Sequence, residues 1–93
     1  MKVEIVTPEV ILYKGEVQAV SVPGVNGEFQ MLENHAAIVS VLTKGYIKLY
    51  GNLEIKESVV DRFEKGNKKD EFLIAITGGT LELNNNHATI LVD

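Results

Sequence analysis

The chain has 93 residues, 45% of them hydrophobic, and no cysteine, so it can close one core by packing alone, without disulfides or thiolate metal sites. Thirteen acidic and nine basic residues give a net charge of −4, which excludes the basic patch that nucleic-acid binding needs. The amino terminus lacks a secretory signal pattern, and the longest apolar run, Phe72 to Ile76, is too short to span a bilayer. We expect one soluble, cytoplasmic domain over residues 1–93.

Turn-forming residues recur at short intervals along the whole chain. The segments between them have five to nine residues and are rich in Val, Ile, Leu, Tyr and Thr, which is typical of short strands and not of helices. The predicted fold class is therefore all-β, a flattened sandwich or barrel. The predicted turns are Pro8, Gly15, Pro23-Gly24, Asn26-Gly27, Lys44-Gly45, Gly51-Asn52, Gly66-Asn67, Gly78-Gly79 and Asn84-Asn85-Asn86.

The spacing of apolar residues divides the predicted strands into two kinds. Apolar and polar residues alternate in Lys2–Ile5, Leu53–Lys56 and Thr80–Leu83, which predicts strands with one solvent-facing side. Two other segments, Ala36–Leu42 and Phe72–Ile76, are apolar on both sides. We expect these two to lie between layers, covered on both faces.

Two glycine positions carry structural predictions. Gly15 interrupts the run from Val10 to Val22, and a glycine inside a strand pattern more often marks a β-bulge or corner than a functional loop, so we predict a bulge. Gly78-Gly79 precedes Thr80 and predicts either a tight turn or the close approach of another backbone.

Charged residues crowd the stretch from Glu54 to Glu71, where Val59, Val60 and Phe63 keep the spacing of one helical face. The pattern predicts either a helical turn or the top of an extended hairpin. In both cases we expect a solvated excursion with Phe63 packed on the core.

The sequence contains no convergent catalytic or metal-ligating set. His35 and His87 are far apart, with no cysteine and no short His-x-x-His spacing between them. The three serines, Ser21, Ser40 and Ser58, lie outside any Gly-x-Ser-x-Gly elbow. We therefore predict no catalytic residue, no cofactor, no metal and no small-molecule substrate.

Glycines at Gly24 and Gly27 superficially suggest a phosphate loop, but such loops lead into a helix. The following segment, Glu28–Leu32, is strand-like and begins with an acid that would repel phosphate, so we interpret the glycines as a turn. His87 is predicted to be an exposed turn residue. His35 either bonds backbone groups at the start of a strand or lies at the rim of a partner surface.

The segment from Gly24 to Ile38, GVNGEFQMLENHAAI, resembles the signature of ATP synthase epsilon subunits, a Gly-x-x-Gly-Glu turn followed by His-Ala-Pro-Leu. Lys44–Leu49 is similar to the family's Gly-x-(Ile/Val)-(Arg/Lys) strand, and Ile76–Leu83 to its Gly-Gly-x-Leu-Glu-Val hairpin. The resemblance extends from Thr7-Pro8-Glu9 to Asp93. Four motifs in the right order at compatible spacings make it specific.

Three features depart from the family pattern. Ala37 replaces the usual proline, Gln30 and Asn34 stand where glycine is common, and the Glu54–Glu71 stretch is longer than usual. These departures concern the shapes of loops.

The resemblance implies a sandwich of about ten strands that binds the gamma subunit and rests on the c-ring, on the cytoplasmic face of the bacterial inner membrane. Such a subunit is a peripheral, non-catalytic part of the central stalk, which couples ion translocation to ATP synthesis and meets the membrane only through the ring. Gly27, Glu28 and Phe29 would contact the ring, where the acid can pair with a basic loop residue. The alternative for Glu28 is an ordinary exposed hairpin acid.

The resemblance also places Thr7, His35, Ile38 and Ser40 toward gamma. The pattern of the strand agrees in part, because the face carrying Ala37, Val39 and Val41 is wholly apolar and is predicted to be core, which turns Ile38 and Ser40 to the second face. An apolar residue beside a hydroxyl suits a partly polar interface, and it also suits ordinary sandwich packing.

Longer members of this family continue into a carboxy-terminal helical hairpin that restrains ATP hydrolysis, and in some of them binds ATP. A chain that ends naturally at Asp93 would lack this hairpin. Two other classes of function remain as alternatives. A free β-sandwich module for a small ligand or glycan would use Tyr46 and Tyr50, which share a face with Lys48, and an enzyme is the least supported because no catalytic set converges.

Overall fold

The computed structural model describes residues 1–93 and contains ten strands and one short 3-10 helix. The predictions of an all-β fold and of about ten strands are confirmed. In chain order, the elements are β1 Lys2–Val6, β2 Ile11–Glu16, β3 Ala19–Gly24, β4 Gly27–Leu32, β5 Ile38–Leu42, β6 Gly45–Tyr50, the 3-10 helix Glu57–Arg62, β7 Glu64–Lys65, β8 Glu71–Ile76, β9 Gly79–Asn84 and β10 His87–Val92.

The strands form one curled sheet that folds into two leaves. The first leaf has the order β2-β1-β10-β9-β5, and the second has the order β4-β3-β6-β8-β7. The leaves join where Gly24 of β3 pairs with Leu42 of β5. Strands β1 and β10 pair in parallel, whereas the other neighbours are antiparallel. The inner sides of the two leaves enclose the core, as in a flattened sandwich.

The core follows the alternation of the strands. In β1, Val3 and Ile5 are fully buried between exposed or half-buried neighbours, and in β9 Leu81 and Leu83 are buried in the same way. The second leaf contributes Val20, Val22, Ile47, Leu49 and Ile74, which are all completely buried. Successive side chains of a strand point to opposite sides, so the alternation predicted for Lys2–Ile5 and Thr80–Leu83 is confirmed.

Strand β5 faces the opposite way from the prediction. Val39 and Val41, predicted to be core, are 78% and 59% exposed, and Ala37 is also exposed. Ile38 instead packs against the core, and Ser40 is half-buried beside it. The interpretation that put Ala37, Val39 and Val41 inside was wrong.

The partner strand explains the orientation of β5. Strand β9 alternates without ambiguity, because Leu81 and Leu83 are buried and Glu82 is exposed. Ile38 pairs with Leu83, and Val39 pairs with Glu82. Since residues directly opposite in a sheet share a face, the polar side of β9 decides which side of β5 meets solvent.

Two other strand predictions need correction. The segment Phe72–Ile76 is covered mainly on one side, because Ile74 and Ile76 are buried while Ala75 is exposed. The segment Leu53–Lys56, predicted as a strand, pairs with no strand. Its alternation instead matches an extended segment whose apolar side rests on the core, since Leu53 and Ile55 pack there.

The predicted bulge lies three residues away from Gly15. Ile5 pairs with Tyr13 and Val6 with Ile11, so the extra residue of β2 is Leu12. At Gly15 a β-carbon would lie 2.9 Å from the Tyr13 hydroxyl oxygen. The glycine is therefore explained by the tyrosine side chain that covers it.

Of the two structures predicted for Gly78-Gly79, a tight turn or the close approach of another backbone, Gly79 shows the second. It opens β9, where a β-carbon would lie 2.3 Å from the backbone carbonyl oxygen of Leu91. No side chain fits in that space, so the close approach of β10 requires glycine.

We call residues 51–70, which connect β6 to β8, the arm. Both structures predicted for its charged part are present, because the arm contains the 3-10 helix and then β7, which pairs with β8 as a hairpin. Phe63 packs against the core as predicted, and Val59 is buried more deeply. The structure contains no helix with the length and apolarity needed to cross a membrane.

Candidate partner-binding surfaces

The predicted turn at Gly24–Gly27 is a tight β-hairpin, and we call residues 24–29 the hairpin tip. Gly24 and Gly27 pair with each other around Val25-Asn26, and Gly27 has a positive φ of 117°, which favours glycine. A β-carbon at Gly24 would lie 2.8 Å from the Phe29 ring. Phe29 packs against the core, so it anchors the tip while Glu28 remains exposed.

Glu28 is paired with a lysine of the same chain. Its Oε2 atom accepts a contact from Lys48 Nζ at 2.9 Å, and the two side chains are 51% and 31% exposed. The hydrogen bond to the Glu28 carboxylate raises the pKa of Lys48 above its ordinary value, because the anion favours the charged ammonium. Glu28 is thus an exposed hairpin acid whose charge is already partly neutralised.

Beside this pair, the loop of the arm folds over the outer face of β3 and β6 and closes a polar groove of about 400 Å³. The Glu71 carboxylate lies in this groove, almost fully buried, and its Oε1 accepts the Lys68 backbone N–H at 3.3 Å. A hydrogen bond to Tyr50 and backbone N–H groups of Lys68 and Asn67 hold the pKa of Glu71 below its ordinary value. Glu71 therefore ties the arm to the sheet as an anion.

The groove also accounts for the two tyrosines considered for glycan binding. Burial, and then the neighbouring Glu71, raise the pKa of Tyr50, which is half-buried in the groove wall. Tyr46 is exposed on the same side of β6. Because Tyr50 is engaged with the arm, the two rings do not form an open pair of stacking faces, so no observation favours a glycan-binding module.

The structure places Thr7 and His35 at opposite ends of the first leaf. Thr7 follows Val6, which pairs with Leu91 near the end of β10, whereas His35 lies beside the Asn84–Asn86 turn that precedes β10. At about 3.3 Å per residue, the length of β10 separates them by roughly 17 Å. They form no compact site.

Both residues are engaged locally. The Thr7 hydroxyl accepts the backbone N–H of Val10 at 3.0 Å and of Glu9 at 3.2 Å, so it shapes the turn before β2. His35 is exposed, and its Nδ1 lies 2.7 Å from the carbonyl oxygen of Ala36. Since a carbonyl can only accept, His35 donates from Nδ1, in agreement with its predicted bonding to backbone groups.

Ile38 and Ser40 come together with the hairpin tip. Both line a cleft of about 310 Å³ with Gly27, Glu28 and Phe29, at the seam where the edges of β4 and β5 face each other. Five of the seven predicted contact residues are thus neighbours, although Ile38 and Ser40 approach the cleft from the inner side of β5.

The sequence reasoning missed an apolar stripe on the outer face of the first leaf. Val41 pairs with Thr80, and Thr80 with Leu91, while Val6 pairs with both Leu91 and Ile11. Directly opposite residues share a face, so these five side chains form one row across five strands, about 19 Å long. Val41, Leu91 and Ile11 are 59%, 52% and 49% exposed.

Acidic residues border this stripe. The next row across the leaf contains Glu82, Thr89, Glu4 and Lys14, which are paired in that order, and it begins at the exposed Val39. An exposed apolar patch with a polar rim is typical of a protein-protein contact. Alternation alone could have indicated Leu91, which follows the buried Ile90.

Comparison with known proteins identifies the fold. A family model described as ATP synthase, delta/epsilon chain, beta-sandwich domain matches residues 1–93. The chain belongs to this family. The prediction made from the Gly24–Ile38 and Ile76–Leu83 motifs is therefore confirmed.

Individual members of the family agree with this assignment. The ATP synthase epsilon chain of Leptospira interrogans is 36% identical over 93 residues, which are all of this chain and 61% of the relative. That of Chlorobaculum tepidum is 37% identical over 90 residues, 97% of this chain and 85% of the relative. The chain thus spans about three fifths of the first of these epsilon chains.

The fold is also found in a solved assembly. A chain in the Tetrahymena thermophila mitochondrial ATP synthase central stalk and c-ring matches 98% of this chain, with a TM-score of 0.70 and 21% identity, and 61% of that chain is covered. At this identity the match establishes the sandwich fold. That chain shares the architecture although most of its side chains differ.

Proposed function

We propose that this chain is a non-catalytic part of the central-stalk rotor of an F-type ATP synthase, where it binds gamma and the c-ring and couples ion translocation to ATP synthesis. The observation that carries the proposal is the match of all 93 residues to the delta/epsilon sandwich family. In this role the chain needs no cofactor, metal or substrate of its own. It is peripheral, on the cytoplasmic face of the bacterial inner membrane, and meets the membrane through the ring.

The c-ring contact is the hairpin tip. Gly27 and Phe29 fix the shape of this turn, and Glu28 extends from it with half of its side chain in solvent. A polar loop with a basic residue fits such a surface, because charge complementarity sets orientation and register. The rigid anchoring of Phe29 supports a contact that has to transmit force.

The gamma contact is the outer face of the first leaf. Thr7 itself is buried, so a partner at this end of the leaf meets the turn that Thr7 holds. A partner that reaches both this turn and His35 crosses the leaf and covers part of the apolar stripe. Ile38 and Ser40 contribute from the cleft at the free edge of β5. The row that borders the stripe carries two acids, Glu4 and Glu82, and one lysine, so it is acidic on balance. This favours a partner surface that is apolar at its centre and basic at its rim.

Gamma binding can be tested with one lysine substitution on the stripe. Burying a valine side chain contributes about 1.5–3 kcal/mol, and the exposed fraction of Val41 leaves about 1–2 kcal/mol to be gained on binding. We expect Val41→Lys to weaken the complex with the cognate gamma about 5- to 30-fold. Size exclusion of the mixed proteins, followed by titration calorimetry, measures the change.

Val60→Lys is the matched control, because Val60 is also a half-exposed valine, 49% accessible, but lies on the arm. We expect it to bind gamma like the unmodified chain. Absence of any complex between the unmodified chain and its cognate gamma would refute the rotor proposal. Equal losses in the two variants would refute only the assignment of the stripe.

A further inference from the structure

The acid that would meet the c-ring is held by a lysine from the neighbouring part of the sheet. Ser21 of β3 pairs with Lys48 on one side and with Gln30 on the other. Glu28 lies two residues before Gln30 on β4, so the Lys48 side chain crosses β3 diagonally to reach it. The ion pair, with 2.9 Å between Nζ and Oε2, therefore joins two strands that do not pair with each other.

The two members of this pair differ in their exposure to solvent. Lys48 lies over the sheet, with Tyr50 and the buried Glu71 lining the same groove. Glu28 stands at the tip with half of its side chain exposed, and its Oε1 atom makes no hydrogen bond within the chain. Lys48 is thus the less exposed member of the pair, whereas Glu28 keeps one oxygen free for a second cation.

We propose that Lys48 is an internal competitor for Glu28, so that a lysine or arginine side chain docking on the hairpin tip must share the carboxylate with Lys48 or displace it. This inference rests on the proposed contact between the tip and the ring.

Electrostatics decides whether the Lys48 charge weakens or strengthens the binding of a partner cation to Glu28. A partner cation on the free oxygen would stand about 5 Å from Lys48 Nζ and about 3 Å from the carboxylate. Coulomb energy falls as the inverse of distance, so the repulsion between the two cations is about three fifths of the attraction that brings the partner in. Removal of the Lys48 charge therefore strengthens the contact, even though Glu28 loses a group that orients it.

The experiment uses the full chain bound to its cognate gamma and measures binding to detergent-solubilised cognate c-ring. Lys48→Met keeps the length of the side chain and removes its charge, and Lys48→Arg keeps the charge. Lys69→Met is the matched control for net charge, because Lys69 is an exposed lysine on the arm, outside both proposed contact surfaces. Gamma binding and thermal unfolding of each variant verify that the fold is intact.

We expect Lys48→Met to tighten ring binding about three- to tenfold at 0.05 M salt, with the gain shrinking toward 1 M salt as screening increases. Lys48→Arg and Lys69→Met should bind like the unmodified chain. In a Glu28→Gln background, Lys48→Met should change nothing, because the shared anion is gone. That last result separates competition from a structural role of Lys48.

The possible failures are distinguishable. If Glu28→Gln weakens ring binding while Lys48→Met leaves it unchanged or weakens it, the competition is refuted and the ring contact stands. If the gamma complex forms but Glu28→Gln has no effect on ring binding, the contact at the tip is refuted together with the competition. Failure of the unmodified complex to bind the ring overturns the proposed function itself.

Discussion

Replacing Val39 by threonine tests which side of β5 faces the core. Threonine keeps the branching and nearly the volume of valine, so the change is essentially one methyl group to one hydroxyl. The side chain of residue 39 is 78% exposed, so the hydroxyl of Val39→Thr stays hydrated. We expect the free energy of unfolding to fall by less than about 0.5 kcal/mol. The same substitution at Val22, which is completely buried, should cost about 1–3 kcal/mol, because its hydroxyl would lack a partner.

Urea unfolding followed by circular dichroism measures both variants. For a small domain with an m-value of about 1–1.5 kcal/mol per M, Val22→Thr should lower the urea midpoint by roughly 0.7–3 M and Val39→Thr by less than about 0.5 M. Similar midpoints for the two variants would refute the orientation of β5. Such a result would mean that β5 is displaced by one residue against β9, since a shift of one residue exchanges the two faces of a strand.

Two further predictions concern the arm and the glycines. Folding lowers the pKa of Glu71, so the Glu71 carboxylate stabilises the fold at pH values above the ordinary glutamate pKa of about 4.3, and this stabilisation is lost as the pH falls through the folded-state pKa. At pH 7 the unmodified chain should therefore unfold at a higher urea concentration than Glu71→Gln. Equal urea midpoints at pH 7 would contradict the role of Glu71. Gly79→Ala should destabilise by about 1–3 kcal/mol, because its new β-carbon meets backbone at 2.3 Å. At Gly66, the new β-carbon of Gly66→Ala would lie 2.0 Å from the Glu71 carboxylate, a side chain that can move. In urea titrations this variant should therefore lose less stability than Gly79→Ala, and it should also lose the pH-dependent stabilisation that Glu71 provides. A larger loss for Gly66→Ala than for Gly79→Ala would contradict this explanation.

The turns and the fold class could be predicted locally. A Gly-x-x-Gly hairpin and an asparagine turn need left-handed backbone at particular positions, and the structure has positive φ at Gly27, Asn85 and Asn86. Val3, Ile5, Leu81 and Leu83 are separated by polar residues, so their alternation also indicates which side is buried. Short motifs in order were sufficient to indicate the family.

The arm shows how local pattern and tertiary contact combine. Its charges and the spacing of Val59 and Phe63 predicted a helical turn or a hairpin, and both are present. The burial of Glu71 could not be predicted, because it depends on Tyr50 and the loop at Lys68 meeting it from separate parts of the chain. From the sequence alone, an acid in a charged run is predicted to be solvent-exposed.

The sequence by itself determined the all-β class, the hairpins and the family to which the chain belongs, because these depend on residues close together in the chain. Tertiary structure alone decided which side chains of these segments are exposed and which of them lie together. Where both sides of a strand are apolar, as in β5, a period of two defines two faces but does not say which is buried, and pairing with Glu82 of β9 settles it. In the same way, the apolar stripe and the Glu28–Lys48 pair exist only once separate strands have been brought into register.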